Sequence, residues 1–242
     1  MSTMSTMRIQ EPGPRPVCDE REVYEDLLAL DGARVLELGC GAAQKTRAIA
    51  EAHRSASILA LEVDVIQHQK NLRVGDLPNV TFGLGGAEEI PAPDGGFDRV
   101  LLFRSLHHVP TARLDHALAE IRRVLRPGGL AYVSEPVFAG AFNEIIRLFH
   151  DEQAVREAAF AAVQRAVAAG ALELVTQRFF DTPTIYADFA EFEARMLNVT
   201  HTQHRLSPEL HALVKERFGA HLTPRGARFE TPVRVDLLRR PA

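Results

Sequence analysis

Val35-Leu36-Glu37-Leu38-Gly39-Cys40-Gly41-Ala42-Ala43 is a short apolar run holding one acid, closed by two glycines one residue apart. It predicts a buried strand ending at Leu38, a sharp glycine turn, and a helix from Gln44 through Ala48, Ile49 and Ala52. Glycines let backbone N–H groups approach a ligand, and the helix N-terminus adds partial positive charge. Such a turn suits a nucleotide-like cofactor at the carboxyl end of the first strand of an α/β sheet. The dinucleotide fingerprint G-x-G-x-x-G/A needs a small residue where this chain has Gln44. Glu37, two positions before the first glycine, instead suits a cationic ligand and repels a pyrophosphate.

Four further stretches follow in order. Ser57 to Asp64 is an apolar strand ending in acids, and Glu62 lies where α/β nucleotide folds place a ribose-binding carboxylate. Period-2 alternation puts Asp64 on the same side, as a competitor or as a cap of the next helix. Asn79 to Pro91 holds a third strand and the loop Gly85-Gly86-Ala87-Glu88-Glu89. Asp94 to Val109 contains the apolar run Val100–Phe103, a buried central strand, followed by His107-His108-Val109. Ala119 to Leu130 reads as an amphipathic helix stopped by Pro127-Gly128-Gly129, where a type II turn precedes a fifth strand from Leu130.

Taken in order to about residue 136, these stretches resemble the class I S-adenosylmethionine-dependent methyltransferases. Glu37, Gly39 and Gly41 match the family's acid-x-Gly-x-Gly-x-Gly motif, with Ala43 at the last glycine. The later stretches match its adenine loop, its Phe-Asp strand with His-His-Val, and its Pro-Gly-Gly turn. The resemblance implies a doubly wound, Rossmann-like α/β fold with a seven-stranded, mostly parallel sheet and an antiparallel terminal strand. It implies S-adenosylmethionine as cofactor, with S-adenosylhomocysteine as product. The positions it assigns to that cofactor are Glu37, Gly39, Cys40, Gly41, Glu62, Val63, Gly86, Ala87, Glu88, Phe103 and Arg104. Asp64 falls in the following turn by this pattern. Gly86 stands where the family has an aspartate that accepts from the adenine amino group, leaving the Ala87 N–H and Glu88 as substitutes.

The chain has 242 residues, 46% hydrophobic and 25% charged, enough for one substantial core. A net charge of −4 gives no extended basic footprint for nucleic acid. Cys18 and Cys40 make neither a disulfide framework nor a zinc set, and no metal is expected. No run approaches the roughly 18 apolar residues of a membrane span, and the polar N-terminus is unlike a signal peptide. A cytoplasmic protein is the expectation, as monomer or homodimer. The organisation reads as a flexible segment 1–18 and one methyltransferase domain over 19–242, beginning with a helix at about 19–31. After Glu135-Pro136 come a helical stretch 141–169, a strand at 172–180, helices at about 184–199 and 207–219, and a last strand around 228–238.

The helices at 184–219 look like an insertion between the last two strands, placed as a lid over the methyl acceptor. Glu135, at the carboxyl end of the fifth strand, and His201, in the polar run Thr200–Arg205, are the expected catalytic residues and polar wall. His150 and His204 stand in reserve. Glu144, Arg147 and Asp151 share a helix face suited to ordinary ion pairs, and His108 is expected to order its turn. The implied reaction is in-line methyl transfer to a small-molecule acceptor. The alternatives are a tRNA or protein methyltransferase, and a homologue that binds the cofactor without catalysis.

Overall fold

A computed structural model describes residues 7–197 and 206–242. Alternating elements build the first half: α1 (Glu20–Leu27), β1 (Arg34–Leu38), α2 (Gln44–Ala52), β2 (Ser57–Glu62), α3 (Val65–Asn71), β3 (Val80–Leu84), β4 (Phe97–Phe103), α4 (Leu114–Val124) and β5 (Leu125–Pro136). The second half holds α5 (Ala141–Ile146), α6 (Gln153–Ala168), β6 (Glu173–Tyr186), α7 (Phe189–Phe192), a π-helical turn (Glu193–Leu197), α8 (Pro208–Gly219), β7 (Leu222–Thr223) and β8 (Gly226–Arg239).

The sheet runs β3-β2-β1-β4-β5-β8-β6, with β7 paired to β8 off this path. The first five strands are parallel, and β8 is antiparallel to both β5 and β6. The direction of chain progression reverses between β1 and β4, the switch point beyond whose carboxyl ends open α/β sheets bind ligands. Alternation along β1 sends Leu36 and Leu38 to the face covered by α4 and α6, and Val35 to the face covered by α1 and α2. Beyond the sheet edge, the far ends of β6 and β8 form a third core with α5, α7 and α8, built around Tyr186, Phe192, Phe218 and Phe229.

Several boundaries differ from the sequence reading. β6 continues to Tyr186 and the next helix begins only at Phe189, because Thr184, Ile185 and Tyr186 pair with Phe229, Arg228 and Ala227. The stretch 141–169 is two helices separated at 147–152, and that break brings Glu152 to His107. β5 already starts at Leu125, through Pro127-Gly128-Gly129, since Leu125 pairs with Phe97 and Arg240 exchanges backbone hydrogen bonds with Gly128 and Gly129. Gly128 does adopt the positive φ of 75° that the turn reading requires. α1 stops at Leu27 and opens with a capping box from Asp19 and Glu22. Residues 7–18, read as flexible, are tied to β6: Cys18 N–H donates to Asp181 O, Asp181 N–H donates to Pro16 O, and Arg15 pairs with the Asp181 carboxylate at 2.9 Å. Among the described residues no helix is long and apolar enough to cross a membrane.

Candidate functional site

The glycine loop turns because Gly39 and Gly41 hold φ of 72° and 52°, a region open to glycine and strained for other residues. Gly39 also packs so tightly that a Cβ there would lie 2.8 Å from the Ser105 Cβ. α2 then starts from Ala43 with no side-chain cap, leaving first-turn amide donors beside the loop. Above the carboxyl ends of β1, β2 and β4 lies a cavity of about 660 Å³. Eight of the expected cofactor residues line it: Gly39, Gly41, Glu62, Val63, Gly86, Ala87, Glu88 and Arg104, the last closing one side.

Glu62 is the organising acid. Its carboxylate accepts from Gly41 N–H at 2.6 Å, Val63 N–H at 2.8 Å and Asp64 N–H at 2.9 Å, clamping the glycine loop to the end of β2. Asp64 also borders the cavity, but its carboxylate caps α3, accepting from Ile66 N–H at 2.8 Å. At the adenine loop, a Cβ built on Gly86 would lie 2.6 Å from the Glu88 Oε2. The Glu88 carboxylate thus fills the space that a longer side chain at Gly86 would take.

Three expected contacts do not line this cavity. Glu37 shares the Val35 face of β1, so its side chain enters α2 and accepts from the Thr46 hydroxyl at 2.7 Å. Burial pushes its carboxyl up to about 7, against the lowering effects of Thr46 and Lys45. The Phe103 ring shares the Leu101 face and packs against Tyr24 and Tyr132. Cys40 is buried with its sulfur against the Asn71 amide. Conversely, Ser105, His108, Val109 and Pro110 line the cavity without having been singled out for it.

A family profile described as a methyltransferase domain matches residues 35–129, the stretch that builds this cavity. Over that stretch, about two fifths of the chain, the sequence is similar to methyltransferase domains. An O-methyltransferase of Aspergillus nomiae is 34% identical over 139 residues, spanning 54% of this chain and 60% of that protein. A fatty-acid O-methyltransferase of Mycolicibacterium smegmatis is 37% identical over 100 residues, 41% of this chain and 36% of that one. The chain therefore matches less than two thirds of the length of either curated relative. In structure it resembles the YcgJ protein of Bacillus subtilis, with a TM-score of 0.62 at 16% identity over 92% of this chain and 97% of that one.

A second cavity of about 290 Å³ adjoins the first, and Arg104 and His108 line both. Its other walls are the apolar Val137, Phe142, Ile146, Phe149 and Met196, and the polar His107, Asn143, His150, Glu152, Arg156 and Arg195. Glu135 does not line this second cavity. Its buried carboxylate accepts from Leu106 N–H at 2.9 Å and binds His107 Nδ1, and the residue borders a separate cavity of about 230 Å³ with Pro136 and Arg234. His107 Nε2 faces Glu152 at 3.6 Å. Burial lowers an imidazole pKa, but Glu135 and then Glu152 outweigh it and raise His107 to about 9. Burial, and then the His107 charge, lower His108, which leaves its imidazole neutral near pH 7. His107, His108 and Glu152 offer ligand atoms within 4.8 Å of one another, yet Arg156 already holds Glu152 at 2.6 Å. Glu144 and Asp151 are ordinary ion-pair partners of Arg147, at 3.6 and 3.7 Å. His201 and His204 lie outside the described residues.

Proposed function

We propose that the chain transfers a methyl group from S-adenosylmethionine to a small-molecule acceptor. The observation that carries this reading is the pair of joined cavities, with Arg104 and His108 on their common boundary. When bound, the cofactor supplies an electrophilic methyl group on a sulfonium. The residues fit it: Glu62 keeps one lone-pair site on Oε2 for a ribose hydroxyl, and the glycine loop and uncapped α2 amides allow close backbone approach. Glu88 takes the part of the absent loop aspartate as acceptor for an adenine amino group.

His108 is the neutral base on the boundary, suited to accept a proton from a hydroxyl acceptor. His107, charged and fixed between Glu135 and Glu152, holds its turn and packs its ring 4.1 Å from that of His108. Aligning two reactants and excluding water lowers a displacement barrier by several kcal/mol without covalent help. The insertion of α7 and α8 between β6 and β8 acts as the acceptor-side cover.

Calorimetry of the full chain is expected to show one-to-one binding of S-adenosylmethionine and of S-adenosylhomocysteine. Absence of heat and of any thermal shift with both ligands would overturn the reading. Labelled cofactor offered to cell extract, fractionated into small molecules, RNA and protein, is expected to mark the small-molecule fraction. Label confined to RNA or protein would replace the acceptor class.

Glu88→Ala is expected to weaken cofactor binding by about 5- to 30-fold, the loss of one charged-acceptor hydrogen bond worth about 1–2 kcal/mol. The double variant Gly86→Asp/Glu88→Ala is expected to recover most of it, because removing Glu88 frees the space beside Gly86, whose φ is not positive. Equal affinities for wild type and Glu88→Ala would remove Glu88 from the site.

A further inference from the structure

The second cavity has an imbalance of polar groups that bears on what it binds. Its one acid among the described lining residues is already engaged: Glu152 receives Arg156 at 2.6 Å and His150 at 2.9 Å. Arg195 is paired with Glu191 at 3.0 Å and lies over the Tyr186 ring at 4.6 Å. Arg104 has no carboxylate partner among the described residues; its Nη2 reaches only the Thr182 hydroxyl, at 3.1 Å. Its backbone sits at φ 54°, a strained conformation for a side chain of this size. Strain of that kind persists where surrounding structure fixes it, and it clusters at ligand sites.

Asn143 adds an independent sign. The residue is only 6% exposed, and its Oδ1 accepts from Arg156 Nη1 at 3.2 Å, which fixes the amide. Its Nδ2 is then a buried donor with no partner, and Arg156 Nε is another. The unmatched buried atoms on these walls are donors, and a buried unmatched donor is costly until an acceptor meets it. Phe142, Ile146, Phe149 and Met196 supply the apolar remainder of the wall.

We propose that the acceptor is an apolar molecule carrying one anionic group, a carboxylate being the simplest, held by Arg104 with Asn143 as second donor. This rests on the methyl-transfer reading of the joined cavities. The anionic group acts as the handle that orients the acceptor, with the body of the molecule against the phenylalanines. A guanidinium meets a carboxylate with parallel N–H donors, which a neutral amide group cannot reproduce.

The test uses the full chain saturated with S-adenosylhomocysteine. The probes are a panel of acids, 3-phenylpropanoate and straight-chain carboxylates of increasing length, each matched with its primary amide. Binding is measured by calorimetry and by saturation-transfer NMR. Acids are expected to bind about 10- to 100-fold more tightly than their amides, the range of one charged hydrogen-bonded contact. Arg104→Met is expected to abolish that preference, measured with S-adenosylhomocysteine raised until it saturates the variant, and Arg104→Lys to keep part of it. Acids binding no better than amides, no acid of the panel binding at all, or a preference unchanged in Arg104→Met each overturn the proposal. Should Arg104→Met fail to fold, Arg104→Lys and Asn143→Ser decide, since the proposal requires both to reduce the acid preference. Loss of S-adenosylhomocysteine binding by the wild-type chain would instead defeat the parent reading, before any acid is added.

Discussion

Glu62→Ala is expected to weaken S-adenosylhomocysteine binding by about 10- to 150-fold, about 1.5–3 kcal/mol for losing a charged acceptor. The same change unties the glycine loop, because the N–H groups of Gly41, Val63 and Asp64 all end on this carboxylate. A loss of about 1–3 kcal/mol in the stability of the ligand-free chain is therefore expected as well, measured by urea denaturation. Asp64→Ala separates the two effects. Asp64 caps α3, so its removal costs about 0.5–2 kcal/mol of stability and leaves affinity within about twofold. If Asp64→Ala loses the greater affinity by calorimetry, the ribose end of the site is misassigned.

Glu135→Ala is expected to have the largest effect on stability, about 3–5 kcal/mol, because it leaves a buried imidazolium without its main partner. The pH dependence gives a more specific signature. His107 is raised from 6.5 to about 9 on folding, so its pair stabilises fully below pH 6.5 and loses that contribution as pH rises through 9. Over this window the melting temperature of the wild type is expected to fall with pH, and that component of the slope is expected to disappear in Glu135→Gln. A Glu135→Gln chain that kept the wild-type slope would show that His107 is not the titrating group. S-Adenosylhomocysteine affinity is expected to stay within about twofold in Glu135→Gln, since Glu135 does not line the larger cavity.

The larger cavity and the glycine loop were legible in the sequence because their signals are local. A strand end, two glycines and a helix start fix the loop within a few residues, and the acid closing β2 follows at the family's spacing. Glu37 and Phe103 were misplaced although the information was present: alternation from Val35 and from Leu101 already turns both side chains toward α1 and α2. The acceptor side was far less readable. The helix break at 147–152 contains neither glycine nor proline, so nothing local announces that Glu152 reaches His107. Arg104 adopts a left-handed φ with no glycine or asparagine to signal it. His108 was read as a turn former because two consecutive histidines in a one-turn 3-10 helix give no face preference.

The position of β8 has a consequence for how the chain is made. β6 is complete at Tyr186, yet its ladder partner among the described residues, β8, begins at Gly226. A ribosome releases the chain from its N-terminus, so the parallel strands through β5 can pair while β6 still has an open edge. Unpaired strand edges exposed in this way are templates for aggregation. β8 then closes β5 and β6 together in one event, joining contacts far apart in sequence, which is intrinsically slow. During synthesis, the half that resembles a cofactor cradle therefore matures first, and the walls of the smaller cavity are drawn together last.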